Sequence, residues 1–187
     1  MANYPNSIYT PRKIENKSGV VYDPDKTTIG YAEDHNKAND EIIAIQEELG
    51  TNPKGVFADV KTNLTELNKK AIIFIIDGGG SAITTGQKGH LRIPFKCEIQ
   101  KATLLADQSG SIVIDIWKDT YANFPPTDAD SITASAPPTL SSAQKSEDST
   151  LTGWTKTINA DDILAFNVDS ATTITRVVLI LEVKNIA

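Results

Sequence analysis

The chain has 187 residues, 22% of them charged, and a formal net charge of -6, with its Lys and Arg scattered along the chain and nowhere more than two in a row. This is the length of one ordinary domain with an appendage, and the charge balance excludes a typical nucleic-acid binder, which clusters cations to neutralise phosphates. One cysteine, Cys97, and two histidines, His35 and His90, leave no intrachain disulfide and almost no conventional zinc site, while the longest apolar run, "AIIFII", is far short of a membrane span.

The opening "MANYPNSIYTPRK" lacks the apolar core of a signal peptide, so synthesis in a cytoplasm is expected. Residues 1–32 read as an extended arm. They carry Pro5, Pro11 and Pro24 among Tyr4, Tyr9, Tyr22 and Tyr31, and no sustained periodicity. Too few aliphatic residues are present to build a core, and aromatic rings with a polar tip suit docking onto another protein. A disordered tail fits the same composition.

Residues 33–71 predict two short helices. In "EDHNKANDEIIAIQEEL" the residues His35, Ala38, Ile42, Ile45 and Leu49 recur at spacings of three, four, three and four, a heptad seam. "GTNPKG" then stops the helix, with Gly50 as its cap and Pro53 beyond. A second seam follows through Phe57, Val60, Leu64, Leu67 and Ala71. Each seam spans about two heptads, so association would need support from a neighbouring domain. An amphipathic hairpin packed on the downstream domain is the alternative.

Residues 72–187 change to Ile, Val and Thr punctuated by turn residues, which predicts an antiparallel β-sandwich, jelly-roll-like in size. Strands are expected near 72–76, 91–95, 99–105, 111–117, 154–158, 163–168 and 173–183. In "SIVIDIW" the residues Ile112, Ile114 and Ile116 form a core face. In "TTITRVVLILEV" both faces are largely apolar. Either the strand is central in a sandwich, or one of its faces meets a neighbouring subunit. The polar stretch from Lys118 to Trp154 reads as a long functional or mobile loop.

Three patterns that could carry chemistry do not hold together. The glycine-rich "DGGGSAITTGQKG" lacks phosphate-loop spacing: counting from Gly80 puts Thr85 where the second glycine belongs, and Gly86 is followed by Gln87, Lys88 and Gly89. It reads as a flexible loop between strands, its glycines free to turn sharply. The carboxylate pairs Asp128 and Asp130, Asp161 and Asp162, and Asp115 and Asp119 have no periodic placement that would converge them in a cleft. Asp128 and Asp130 also lack the glycine and terminal glutamate of an EF-hand calcium loop. Cys97 reads as a small buried hydrophobe. No catalytic residue, metal or cofactor is expected. Trp117, Tyr121, Phe124 and Trp154, near the long loop, are candidate glycan contacts, with core packing the alternative for the two tryptophans.

"DEIIAIQEELGTNPKGVFADVKTNL" resembles the helix, turn and helix found near the N-termini of phage appendage and virion structural proteins. The stretch from "GGGSAITTGQKGHLRIPFKCEIQ" through "PPTLSSAQKSEDSTLTGW" is similar to a module at the C-termini of phage tail and other virion proteins. Together these resemblances run from about Asp40 to Val183. They imply a bacteriophage virion protein, a short homotrimeric head or tail fibre or spike. Its N-terminal arm would plug into capsid or tail proteins, with Tyr4, Tyr9, Tyr22 and Tyr31 as anchor. Oligomerisation would run through Ala38, Ile42, Ile45, Leu49, Phe57, Val60, Leu64 and Leu67, and the β domain would face the host surface. The implied partners are the chain itself, other virion proteins and a host-surface glycan, with neither nucleic acid nor membrane. A capsid decoration protein that touches no host, and a carbohydrate-binding module, are the alternatives; an enzyme acting on surface polysaccharide comes last.

Overall fold

The structure is a computed structural model that describes residues 32–50 and 52–186, with the side chains of residues 32–35 left aside. The arm tyrosines Tyr4, Tyr9, Tyr22 and Tyr31 lie outside the described residues. The chain divides into two units at Thr65 and Glu66, inside the second helix.

In the first unit, α1 runs from Ala32 to Leu49. It ends at Gly50, whose φ of 76° and N–H bonded to Gln46 O at 2.9 Å form a glycine C-cap. The turn that follows is closed by Asn52 Nδ2 on Gly55 O at 3.2 Å and Asn63 Nδ2 on Pro53 O at 3.0 Å. Asp59 caps the next helix by accepting the Thr62 N–H at 2.7 Å, a bond that also lowers its carboxyl pKa. This second helix, α2, is Val60–Leu67, shorter than the seam predicts. Phe57 falls in the turn before the cap, and Ala71 belongs to a strand.

The second unit is mainly β, a curled antiparallel sheet of seven strands. These are β1 (Lys69–Asp77), β2 (Gly86–Arg92), β3 (Cys97–Asp119), β4 (Thr139–Asp148), β5 (Thr157–Ile158), β6 (Ile163–Thr172) and β7 (Arg176–Asn185). The main path is β1-β7-β3-β6-β2, with β4 and β5 also on β3. The two predicted strands 99–105 and 111–117 are one strand of 23 residues. Its first half, Cys97 to Ala106, pairs with β7, and its second half, Ser111 to Asp119, pairs with β6. One long strand therefore serves two successive neighbours.

The division is built at Asp107–Ser111. Asp107 Oδ1 accepts the N–H groups of Thr175 at 3.3 Å and Arg176 at 3.1 Å, and Oδ2 accepts the Thr175 hydroxyl. Thr173 Oγ1 donates to Ser109 O at 3.1 Å. The residues between β6 and β7 are thus fastened to the midpoint of β3. Gly110 is buried there, and a Cβ on it would stand 2.5–2.6 Å from Thr173 and Ile174 side-chain atoms and the Thr172 carbonyl. Only glycine lets the backbones come this close.

Curling brings β1 over β6 and β2. The Phe74 ring stacks on Phe166 with centroids 4.1 Å apart, and a Cβ at Gly89 would stand 3.0 Å from the same ring. Between them lies one core that includes Ile72, Ile76, Ile99, Leu104, Ile112, Ile114, Ile116, Leu164, Val177, Leu179 and Leu181. The glycine-rich connection from β1 to β2 is tied down rather than free. Gly78 N–H bonds Thr175 O at 2.8 Å, Ile83 N–H bonds Ile174 O at 2.9 Å, and Ile83 is buried.

The polar stretch predicted as a long loop contains β4 and two 3₁₀ turns, Tyr121–Asn123 and Asp128–Asp130. Only Leu140 of β4 is buried, which explains why no apolar alternation announces this strand.

Candidate functional site

The candidate functional features are surfaces. On the outer face of the sheet, residues of three strands stand in register. Leu105, Val178 and Ile75 form one row, and Thr103, Ile180 and Ile73 the next. Ile73 is 55% exposed, Ile75 59% and Leu105 45%, while Val178 and Ile180 between them are half-buried. β7 is thus apolar on both faces, with Val177, Leu179, Leu181 and Val183 in the core.

The polar ends of this face are tied by ion pairs within the chain. At one end Lys101 bridges Glu147 at 3.1 Å and Glu182 at 2.6 Å, which raises the pKa of its amine. At the other, Arg176 Nε donates to Asp77 Oδ2 at 2.7 Å; the Gly79 N–H on Asp77, then this guanidinium, hold the carboxyl below its usual range. The charges thus stand at the two ends of the stripe and leave its middle rows, Ile73, Ile75 and Leu105 with Val178 and Ile180, uncharged.

A second apolar surface belongs to the helices. Ala38, Ile42, Ile45 and Leu49 of α1 are exposed, as are Leu64 and Leu67 of α2. Phe57 and Val60 are half-buried. The predicted seams therefore keep their larger aliphatic side chains in solvent.

The third surface is aromatic. Asp119, the last residue of β3, accepts the Thr120 N–H at 2.7 Å and Asn123 Nδ2 at 3.1 Å, pinning the turn that carries Tyr121 and Phe124. Tyr121 is 69% exposed and Phe124 52%. The Arg92 guanidinium lies 5.7 Å from the Tyr121 ring centre and pairs with Asp161 at 2.8 Å. The His90 ring sits 4.8 Å from Phe124 and accepts from Gln87 Nε2 at 2.6 Å.

Of the two predicted tryptophan contacts, Trp154 is packed in the core, whereas Trp117 stands on the face of His90, in register with it through Ala165. Trp154 is only 8% exposed and its indole N–H donates to Ala136 O at 2.8 Å, so its faces pack in the core. Trp117 is half-buried and donates to Asp115 Oδ2 at 2.8 Å. Sequence reasoning missed Gln87, His90, Arg92 and Asp161. Strand alternation puts His90 and Arg92 on one face, but only the fold brings that face to Tyr121 and Phe124.

The carboxylates are occupied with structure. Asp115, buried, accepts the Ile116 N–H at 2.7 Å, the Trp117 indole, the Ser131 hydroxyl at 2.8 Å and the Thr133 hydroxyl. Asp162, also buried, holds Lys118 at 3.2 Å and the Asn159 N–H at 2.8 Å. Asp130 accepts the Thr127 N–H and hydroxyl, both at 2.8 Å, and the N–H bond lowers its pKa most. Cys97 is fully buried, and desolvation raises its thiol pKa. Among the described residues no group of three or more His, Cys, Asp or Glu could hold a metal ion, and no helix is long and apolar enough to cross a membrane.

No protein-family model matches the chain, and no curated protein matches it. Among solved structures, the chain is similar to one described as the structure of infectious bursal disease virus Gx strain. That likeness has 12% identity and a TM-score of 0.18 and covers 63% of this chain and 37% of the other. It is too distant to bear on fold or function.

Proposed function

We propose that this chain is a non-enzymatic structural protein of a bacteriophage particle, a short homotrimeric fibre or spike held by residues 1–32 and presenting its β domain outward for contact with the host surface. The observation that carries the self-associating part of this reading is the exposed apolar stripe Ile73, Ile75 and Leu105, continuous with Val178 and Ile180. Isolated exposed aliphatics are ordinary; rows aligned across three strands form a contiguous apolar patch of the kind that protein interfaces use, which supports this reading. The exposed seam Ile42, Ile45 and Leu49 supports the same conclusion from a second element. The phage context rests on the resemblance of the helix-turn-helix and β segments to virion modules. The reading requires no catalytic group, cofactor, nucleic acid or membrane.

Solution mass tests it: the trimer gives three times the chain mass of 20.2 kDa, and a concentration-independent monomer refutes it. Deleting residues 1–30 tests polarity. The truncated protein is expected to remain folded and oligomeric but to be missing from particles, whereas incorporation at normal copy number refutes the anchor. Adsorption separates the fibre from a decoration protein. Purified fibre competes with phage for host cells. A protein that does not bind cells, on a phage whose capsid weakens without it, is decoration.

A further inference from the structure

The surface formed by β2 and the turn after β3 has the composition and spacing of a sugar-binding platform. Residues two apart on a strand share a face and lie about 6.6 Å apart along it. Residues three apart on a 3₁₀ turn also share a face, about 6 Å apart. His90 and Arg92 on β2 therefore match Phe124 and Tyr121 on the turn in two successive pairs, the first ring beside ring and the second guanidinium beside ring. With Arg92 against one side of Tyr121, a ring that is 69% exposed keeps much of its surface open to solvent.

We infer that this platform binds neutral hexose units of a surface polysaccharide, with Tyr121 and Phe124 stacking on pyranose faces and Gln87, His90, Arg92 and Asp161 bonding the hydroxyls. Three features select that ligand. Pyranose rings present an apolar C–H face that suits an aromatic ring, and the amphipathic tyrosine keeps its polar tip in water. Adjacent sugar hydroxyls each donate and accept, and Arg92 beside Asp161 sets donors next to an acceptor at the same spacing. Arg92 is already paired with Asp161 at 2.8 Å, and Asp119 at the turn bonds only neutral donors, so the site offers no uncompensated cation to select an anionic polymer. The turn is pinned by Asp119, which limits the entropy lost on binding.

This inference deepens the host-contact part of the proposed function and rests on that reading for its biological setting. The test is electrophoresis of the full chain through native gels containing dextran, mannan or galactan, with polygalacturonate as the anionic comparison. Retardation is expected in at least one neutral gel. Tyr121→Ala weakens it about tenfold, the upper range for one aromatic contact, while Tyr121→Phe retains it. Because Tyr121 is exposed, a thermal melt of Tyr121→Ala matching the parent shows that loss is not unfolding. Absence of retardation in all three neutral gels overturns the inference. So does retardation by polygalacturonate alone, or equal retardation of Tyr121→Ala and the parent. Solution mass on the same sample separates the two readings: an unretarded trimer sinks only the sugar site, and a retarded monomer sinks only the trimer.

Discussion

Phe74 of β1 and Phe166 of β6 lie nearly parallel, 14° between ring planes and 4.1 Å between centroids, although their strands are not neighbours in the sheet. The stack joins the β1 end of the sheet to the β6 and β2 end, so it is a contact that only the curled sheet can make. Phe74 is half-buried and Phe166 fully buried. Phe74→Ala is expected to cost about 2–3 kcal/mol, somewhat less than a fully buried phenylalanine, and to lower Tm by roughly 6–10 °C. Calorimetry of the variant checks this, and an unchanged Tm would mean that the stack does not hold the sheet closed. Gly89→Ala is expected to act through the same ring, since the new methyl group would meet Phe74 at 3.0 Å.

Asp107 fastens the middle of β3 to the start of β7, and its pKa is lowered chiefly by the Thr175 hydroxyl and then by the Arg176 N–H. The folded protein therefore binds this proton less readily than the unfolded chain. Its contribution to stability is complete above the unfolded carboxyl value of about 3.9 and is lost as pH falls through the lower folded value. Asp107→Asn should lower the urea midpoint at neutral pH, and the gap between variant and parent should close in acid below that window. A gap that persists unchanged at the lowest pH would show that the charge of Asp107 is not what the fold uses.

Gly110→Ala forces a methyl group against Thr173, Ile174 and the Thr172 carbonyl at the place where β6 gives way to β7. Two of those contacts belong to residues fastened to β3, so the crowding cannot be relieved by rotating one flexible side chain. A loss of about 3 kcal/mol is expected, at the upper range for overpacking. Urea denaturation measures it. A variant as stable as the parent would show that the crossing has room to open.

β7 was legible in the sequence because its Val, Leu and Ile residues alternate around a two-faced strand, and β1 because of its Ile-rich run. β3 was not legible as one strand. "ADQSG" in its middle has turn composition, yet Asp107 is spent on the backbone of residues 175 and 176 and Gly110 on a close approach, so the strand runs through. β4 was hidden because only Leu140 faces the core. The second helix was overextended at its end because Lys69–Ala71 continue a pattern compatible with helix, whereas pairing with residues 182–184 of β7 makes them strand. In the aromatic surface, Tyr121 and Phe124 could be singled out by residue type. Arg92 and His90 could not, because only the fold brings β2 beside the turn after β3. Residue type alone also cannot separate the two tryptophans: Trp154 is held in the core with its indole on Ala136, while Trp117, bonded to Asp115, stands half-buried on the face of His90.

The outer face of β1 and β7 yields the prediction that bears most directly on assembly. Ile75 is more than half exposed, sits on the edge strand β1 opposite Val178, and contributes nothing to the core that Ile72 and Ile76 fill from the other face. Buried against another copy, one isoleucine contributes about 1.5–3 kcal/mol, and symmetry repeats it in every subunit. Ile75→Lys would set a charge into that contact, whereas Ile75→Thr removes apolar area but keeps a β-branched side chain suited to a strand. Both variants should fold with an unchanged near-UV spectrum, and Ile75→Lys should shift the solution mass from that of the proposed trimer toward the 20.2 kDa chain, with Ile75→Thr intermediate. If Ile75→Lys sediments as the parent does at every concentration, the stripe lies outside the interface, and association would have to come from the helical seam of Ile42, Ile45 and Leu49. Ile45→Lys then becomes the deciding variant, because its side chain is the most exposed of those three.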